Sequence, residues 1–308
     1  MKKAIVLLST YNGERFLREQ LDSVLNQIGL EIHLLVRDDG STDSTVTILK
    51  EYQSHGMLTW YTGANLGPAQ SFMHLLAHAK EFLHLSGKDD CLYAFCDQDD
   101  VWDNDKLQVA ASKMDSSKER PAFYASQTRS VDTCLQSLPT PVLTPLLTQE
   151  ESLIYSFVTG CTVVMNATMR DMVLKGQMPK RGVLHDGWCY MIAQAVGAYV
   201  VFAPTPHISY RQHEHNVVGL VNSPIHEWKQ RVKRVLYTDS GIRSEVATFL
   251  LQNYKKWMDA ESQQVVQKFI DGKKSFMQRL KLLTSRNYVT GDARTTLYFR
   301  IALLLNTY

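Results

Sequence analysis

The chain has 308 residues, 44% of them hydrophobic and 21% charged, with a formal net charge of +2. That composition is ordinary for a globular protein and fills one large domain or two smaller ones, with no internal repeat and no low-complexity tract. No stretch reaches the roughly 18 apolar residues of a membrane span, and Met1-Lys2-Lys3 precedes an apolar run too short for a signal peptide. Ala4 to Leu8 reads as a first strand, left through Ser9-Thr10-Tyr11-Asn12-Gly13. Leu17, Leu21, Val24, Leu25 and Ile28 then fall on one helical face. Ile32 to Val36 makes a second strand and exits through Asp38-Asp39-Gly40-Ser41-Thr42-Asp43, whose small polar residues cap a helix that turns Val46, Leu49 and Tyr52 inward. Leu58 to Tyr61 is a third strand with an exit turn around Asn65, and Phe72, Leu75, Leu76, Ala79 and Phe82 mark the helix after it. Leu92 to Phe95 is a fourth strand, delivering Cys96-Asp97-Gln98-Asp99-Asp100-Val101-Trp102 before a helix over about Asp103 to Met114.

Strand and helix thus alternate four times, which predicts an α/β fold with a mostly parallel sheet flanked by helices. Ligands of such sheets bind beyond the carboxyl ends of the strands, where all four polar clusters fall. Three carboxylates within four residues repel one another, and a hard divalent cation is the usual relief. Asp100 or Asp103 as a helix cap is the competing reading. G-x-G-x-x-G, P-loop and G-x-S-x-G patterns are absent, which excludes the usual dinucleotide, Walker-type and serine-hydrolase sites.

Beyond Met114 the alternation loosens. Ala122 to Ser126, Thr162 to Met165 and Tyr199 to Phe202 are strand-like, and His185-Asp186-Gly187-Trp188 opens a helix to about Val196. Tyr210-Arg211-Gln212-His213 starts a polar, turn-rich stretch. The five cysteines lack C-x-x-C spacing and point to reduced thiols in the cytoplasm. From Ile225 onward 15 basic residues face 7 acidic ones, leaving the remainder acidic. This basic region reads as amphipathic helices, with a soft boundary near Asn222 that divides a catalytic domain (1–222) from a C-terminal helical region (223–308).

Taken in order, Ser9 to Gly13, Asp38-Asp39-Gly40-Ser41, Phe95 to Trp102, His185 to Trp188 and Tyr210 to His213 resemble a family 2 glycosyltransferase of the GT-A fold. The Asp-Gln-Asp-Asp-Val-Trp form and the Tyr-Arg-Gln-His ending resemble bacterial rhamnosyltransferase-type members. The resemblance implies an inverting, metal-dependent enzyme that moves a hexose from a UDP- or dTDP-sugar to a glycan hydroxyl. It implies that Asp39 binds the nucleotide base beside Ser9 and Tyr11, and that Asn65 lines the donor pocket. Asp97 and Asp99 match the D-x-D pair; Asp99 is the stronger ligand for Mn²⁺ or Mg²⁺, Asp97 also contacts ribose, and His213 is a further candidate for metal or phosphate, with Arg211 and His215 the weaker candidates beside it. Asp186 corresponds to the general base, against the plainer role of helix cap; Trp188 reads as core. The implied partners are a nucleotide-sugar donor and a lipid- or protein-linked glycan acceptor, and no nucleic acid. The basic helices suit either the inner face of an anionic membrane, through Lys229, Arg231, Lys233 and Arg234, or a homo-oligomer interface through Leu280, Leu282, Leu283 and Ile301 to Leu305. A nucleotidyltransferase, which needs a basic phosphate clamp beyond Arg37, and a non-catalytic sugar-nucleotide-binding relative are the alternatives.

Overall fold

The computed structural model describes residues 2–84, 91–117, 119–214 and 241–308. The boundary near Asn222, His215 and the basic cluster at 229–234 lie outside the described residues. Contacts divide the chain into two units. The first comprises residues 1–141, 158–174 and 199–213, and the second 142–157, 175–198 and 214–308.

In the first unit, β1 (Lys3–Thr10), β2 (Glu31–Asp38), β3 (Thr59–Thr62) and β4 (Cys91–Cys96) run parallel, as their apolar runs predict. Ala4 to Leu8 and all of β4 are buried, as expected for strands covered on both faces. Alternate residues serve opposite layers. Ala4, Val6, Leu8, Leu92 and Ala94 pack on α1 (Leu17–Leu25), α2 (Thr45–Ser54) and α4 (Lys106–Met114). The opposite side meets α3 (Pro68–Phe82), where Phe72 sets its ring edge-on to Phe95 at 5.3 Å. Within α2, Ile48 is buried and Val46 only half-buried, the reverse of the expected assignment; Thr45, Ile48, Leu49 and Tyr52 form the covered stripe.

The sheet extends beyond β4 in the order β3-β2-β1-β4-β8-β6-β9, with β6 (Ala122–Ser126), β8 (Val164–Asn166) and β9 (Tyr199–Ala203). Strand β8 is antiparallel to both neighbours, so the sheet is mostly rather than wholly parallel. The strand expected from Thr162 begins later, because Gly160–Thr162 forms a 3₁₀ turn. A second, three-stranded sheet joins β5 (Val101–Trp102), β10 (Ile208–Arg211) and β7 (Arg129–Val131). It sets the Tyr210-to-His213 stretch beside the acidic cluster, because β5 is the cluster's own continuation. α6 (Ala167–Val173) completes this unit.

The second unit holds α5 (Gln149–Ile154), α7 (His185–Ala195), α8 (Ile242–Tyr254), α9 (Ala260–Lys274), α10 (Phe276–Thr284) and α11 (Ala293–Leu305). The amphipathic pattern from Ile225 is thus helical over its described part. Trp188 is fully buried, with its ring against Phe249 at 5.9 Å and Tyr254 at 5.8 Å, as its apolar neighbours suggest. Buried Glu151 accepts from the amides of Leu146, Leu147 and Gly291, pinning three loop positions with one carboxylate. Among the described residues, no helix is long and apolar enough to cross a membrane.

Candidate functional site

The exits of β1 to β4 are stitched together by side chains. Thr10 Oγ1 and the Tyr11 amide both donate to Gln98 Oε1, at 2.7 and 2.9 Å, and Gln98 Nε2 returns a bond to the Tyr11 carbonyl at 3.2 Å. Gly13 lies so close to Gln98 and Thr10 that any Cβ would collide with them. The loop after β2 is tied to the same turn: the Asn12 amide donates to Ser41 Oγ at 2.9 Å, and the Thr42 amide to Asn12 Oδ1 at 2.8 Å. Asp38 accepts from the amides of Gly40 and Ser41 and, at 2.9 Å, from Thr62 Oγ1, joining this loop to β3. Gly40 adopts φ +87° there, a region that penalises any residue with a Cβ.

Asp39 is buried, and its carboxylate is already engaged. It pairs with Arg37 and accepts from the amides of Leu66 at 3.0 Å and Gly67 at 2.9 Å. A carboxylate offers about four lone-pair positions, so little capacity remains. Arg37, also buried, donates to the Ala64 carbonyl at 2.9 Å and to Ser71 Oγ at 3.1 Å; Ser71 in turn meets Ser9 Oγ at 2.6 Å. Arg37 is therefore a strut under the Asn65 turn and not a cation facing phosphate. The basic clamp that a nucleotidyltransferase needs does not come from it. Asn65 is exposed, its Oδ1 accepting from the Gly67 amide at 3.1 Å, and Tyr11 is 47% exposed.

At the β4 exit the three aspartates occupy different environments. His213 Nε2 lies 2.8 Å from Asp99 Oδ2, so strand β10 carries the candidate histidine onto the candidate carboxylate. The His213 ring also stacks on Phe16, with centroids 5.4 Å apart. Asp97 is half-buried. Asp100 is wholly buried: Oδ1 accepts from the Arg211 amide at 3.0 Å, and burial, then the charges of Asp99 and Asp97, hold its carboxyl well above the usual carboxylate range. Neither Asp100 nor Asp103 caps α4; the cap position is Asp105, and the helix begins at Lys106 rather than Asp103. Asp103 instead pairs with Arg129 at 2.6 Å.

Sequence reasoning made Arg211 only a weak ligand candidate beside His213 and missed its structural role. Its side chain is 1% exposed and donates to the carbonyls of Asp99 at 2.8 Å and Thr133 at 2.7 Å and to Glu19 Oε2 at 2.5 Å. The guanidinium also sits over the Phe16 ring at 4.4 Å, within cation–π range. Lys106 was missed too. Its ammonium is buried over the Trp102 ring at 3.5 Å, and burial pushes its pKa down to about 8.

Among the described residues, two groups of three potential metal ligands lie within 4.8 Å of one another, namely Asp97-Asp100-Cys161 and Asp103-Asp105-His207. The second is already committed to Arg129 and to an Asp105–His207 contact at 2.9 Å. The Asp99–His213 pair, with Asp97 two residues away, offers carboxylate oxygens of the kind Mn²⁺ and Mg²⁺ prefer, and an imidazole that suits Mn²⁺ better than the harder Mg²⁺.

Asp186 belongs to the second unit, in the first turn of α7. The cap position is Leu184, which makes no side-chain cap, and Asp186 Oδ1 accepts from the Gly187 amide at 2.7 Å. The residue is 8% exposed. The helix start favours negative charge there.

Comparison with known proteins agrees with this geometry. The dTDP-rhamnosyl transferase RfbG of Shigella flexneri is 28% identical over 255 residues, spanning 78% of this chain and 82% of the relative. The putative teichuronic acid biosynthesis glycosyltransferase TuaG of Bacillus subtilis is 27% identical over 203 residues, spanning 63% of this chain and 73% of the relative. Among solved structures, S. aureus TarS 1-349 in complex with UDP-GlcNAc superposes with a TM-score of 0.56 at 18% identity, covering 98% of this chain and 90% of that one. The mannosyltransferase PcManGT from Pyrobaculum calidifontis, in complex with GDP-Man and Mn²⁺, gives 0.51 at 16% identity, covering 99% and 81%. At such identities these structures speak for the fold alone, which is GT-A. The profile of Glycosyl transferase family 2 matches residues 5–175, more than half of the sequence and every strand exit described above, and the chain belongs to that family.

Proposed function

We propose that this glycosyltransferase moves a hexose, rhamnose or glucose or a related sugar, from a UDP- or dTDP-nucleotide to a glycan hydroxyl, with inversion at the anomeric carbon. Its setting is bacterial surface polysaccharide or glycoprotein synthesis in the cytoplasm. The observation that carries the reading is the 2.8 Å Asp99–His213 contact at the end of β4, in a chain of this family. The similarity to RfbG supports the dTDP-sugar among the two donors.

Ser9, Tyr11 and Asn65 line the nucleotide pocket in this reading. Asp39 serves the base chiefly by holding Arg37 and the Leu66–Gly67 turn in place. Asp99 and His213, with Asp97, would hold Mn²⁺ or Mg²⁺, whose charge offsets the leaving diphosphate. Asp97 also reaches the ribose. The acceptor oxygen forms a bond to the anomeric carbon as the bond to the diphosphate oxygen breaks through an oxocarbenium-like centre. Asp186 takes the proton from the acceptor hydroxyl. A carboxylate at a helix start can remain charged and receptive there.

Screening UDP- and dTDP-sugars for hydrolysis, with and without Mn²⁺, tests the reading. Release of nucleoside diphosphate from one donor class, dependent on the metal, supports it. Absence of turnover and of binding with every donor refutes it, and a product of retained anomeric configuration refutes inversion.

A further inference from the structure

Helices α10 and α11 pack against each other, yet each turns large apolar side chains outward. In α11 the covered residues are Thr296, Phe299, Ala302 and Leu303, with Phe299 stacked on Phe269 at 5.8 Å. Its outward residues are Leu297, Ile301, Leu304 and Leu305, between 39% and 66% exposed. In α10 only Leu282 is buried, while Phe276 and Met277 are 67% and 62% exposed and Leu280 is 41% exposed. Single exposed hydrophobics are ordinary. Seven on two neighbouring helices are not, since a solvent-facing helix side is normally polar.

The charge around these side chains is one-sided. From Phe276 to Tyr308 there are five basic residues and one acidic residue, Asp292. Asp292 is spent on the cap of α11, accepting from the amides of Arg294 and Thr295. Lys281, Arg286, Arg294 and Arg300 are exposed. A second copy of this face would bring like charges together as it covered the leucines. A surface of acyl chains beneath anionic headgroups satisfies both features at once. We propose that the outward side of α10 and α11 is a contact surface for an anionic lipid bilayer. The inference does not depend on the sugar chemistry, and it rests on the last two helices rather than on the basic cluster at 229–234.

The test is sedimentation of the full chain with vesicles of phosphatidylcholine carrying a rising fraction of phosphatidylglycerol. Partition should rise with the anionic fraction and fall with salt. The double variant Ile301→Glu, Leu304→Glu should lower it by about tenfold or more, since it removes inserted apolar area. Arg294→Glu with Arg300→Glu should lower only the anionic-dependent part, by about fivefold for each cation lost. Both pairs are exposed, so thermal melts should match the parent. Absence of partition by the parent, or partition indifferent to phosphatidylglycerol, overturns the proposal. So does a dimer that ignores vesicles and becomes monomeric in the Ile301/Leu304 variant, because a second copy would then be the occupant.

Discussion

Replacing Arg211 with methionine should loosen the acidic loop and the candidate metal ligands together. Methionine keeps much of the side chain's bulk over Phe16 and removes the guanidinium. The Glu19 partner is 55% exposed, so its ion pair contributes little after solvent screening. The two carbonyl acceptors, Asp99 and Thr133, are the costly losses. Hydrogen bonds to a charged donor contribute about 1.5–3 kcal/mol each, so the pair predicts a loss of about 3–6 kcal/mol. Urea denaturation reads that loss directly. A structural strut and a positioning residue are then separated by Mn²⁺ titration under conditions where the variant is folded. Because Arg211 holds the carbonyl of Asp99 and sits two residues from His213, metal affinity should fall at least about tenfold, a change of about 1.4 kcal/mol. Arg211→Lys should recover part of the stability and less of the metal affinity, since an ammonium cannot reproduce the planar fork. A destabilisation below about 1 kcal/mol, or unchanged metal affinity in the folded variant, would refute the reasoning.

Three further outcomes are expected. Asp99→Asn and His213→Ala should each weaken Mn²⁺-dependent nucleotide binding in calorimetry; the first should keep the melting temperature, whereas the second also gives up the ring stacked on Phe16 and should melt somewhat earlier; unaltered heats would remove both from the metal site. Asp186→Asn should preserve donor affinity and cut turnover by about 10²-fold or more, whereas near-normal rates would leave it a purely structural residue of the first helical turn. Lys106→Met should stabilise the protein by about 1–3 kcal/mol near neutral pH, because burial holds the ammonium pKa at about 8, below its usual 10.5. The unfolded chain binds the extra proton between those two values, so parental stability rises with pH across that window and the gain from methionine shrinks there. Denaturation midpoints at pH 7 and pH 10 that differ equally between the two proteins would contradict this.

The first four strands were legible because each is a short apolar run closed by a polar turn, and a buried parallel sheet requires that pattern. Their polar exits marked the site for the same reason. The three-stranded sheet was not legible. Strands of two to four residues, such as Val101–Trp102, have no periodicity to read. Their pairing with Ile208–Arg211 is a long-range choice, accompanied by the Arg211 bond to the Asp99 carbonyl. The antiparallel entry of Val164–Asn166 beside β4 is likewise invisible in a local pattern. Asp39 carried a second signal that went unread: Arg37 lies two residues earlier, on the same side of an extended strand. Asp186 lies beyond the 5–175 family match and rests on the short run from His185 to Trp188.

The chain passes between its two units five times, and the helix bearing Asp186 owes its floor to distant sequence, since Trp188 is held by Phe249 and Tyr254. Cutting the protein near residue 222 would therefore remove the partners of that tryptophan and leave a large indole without cover. The C-terminal helices are thus not cargo that relatives can exchange freely while leaving a finished enzyme behind. A graft of the C-terminal helices from a relative has to carry residues 142–157, 175–198 and the closing helices as one set, or rebuild the surfaces on which Trp188 rests.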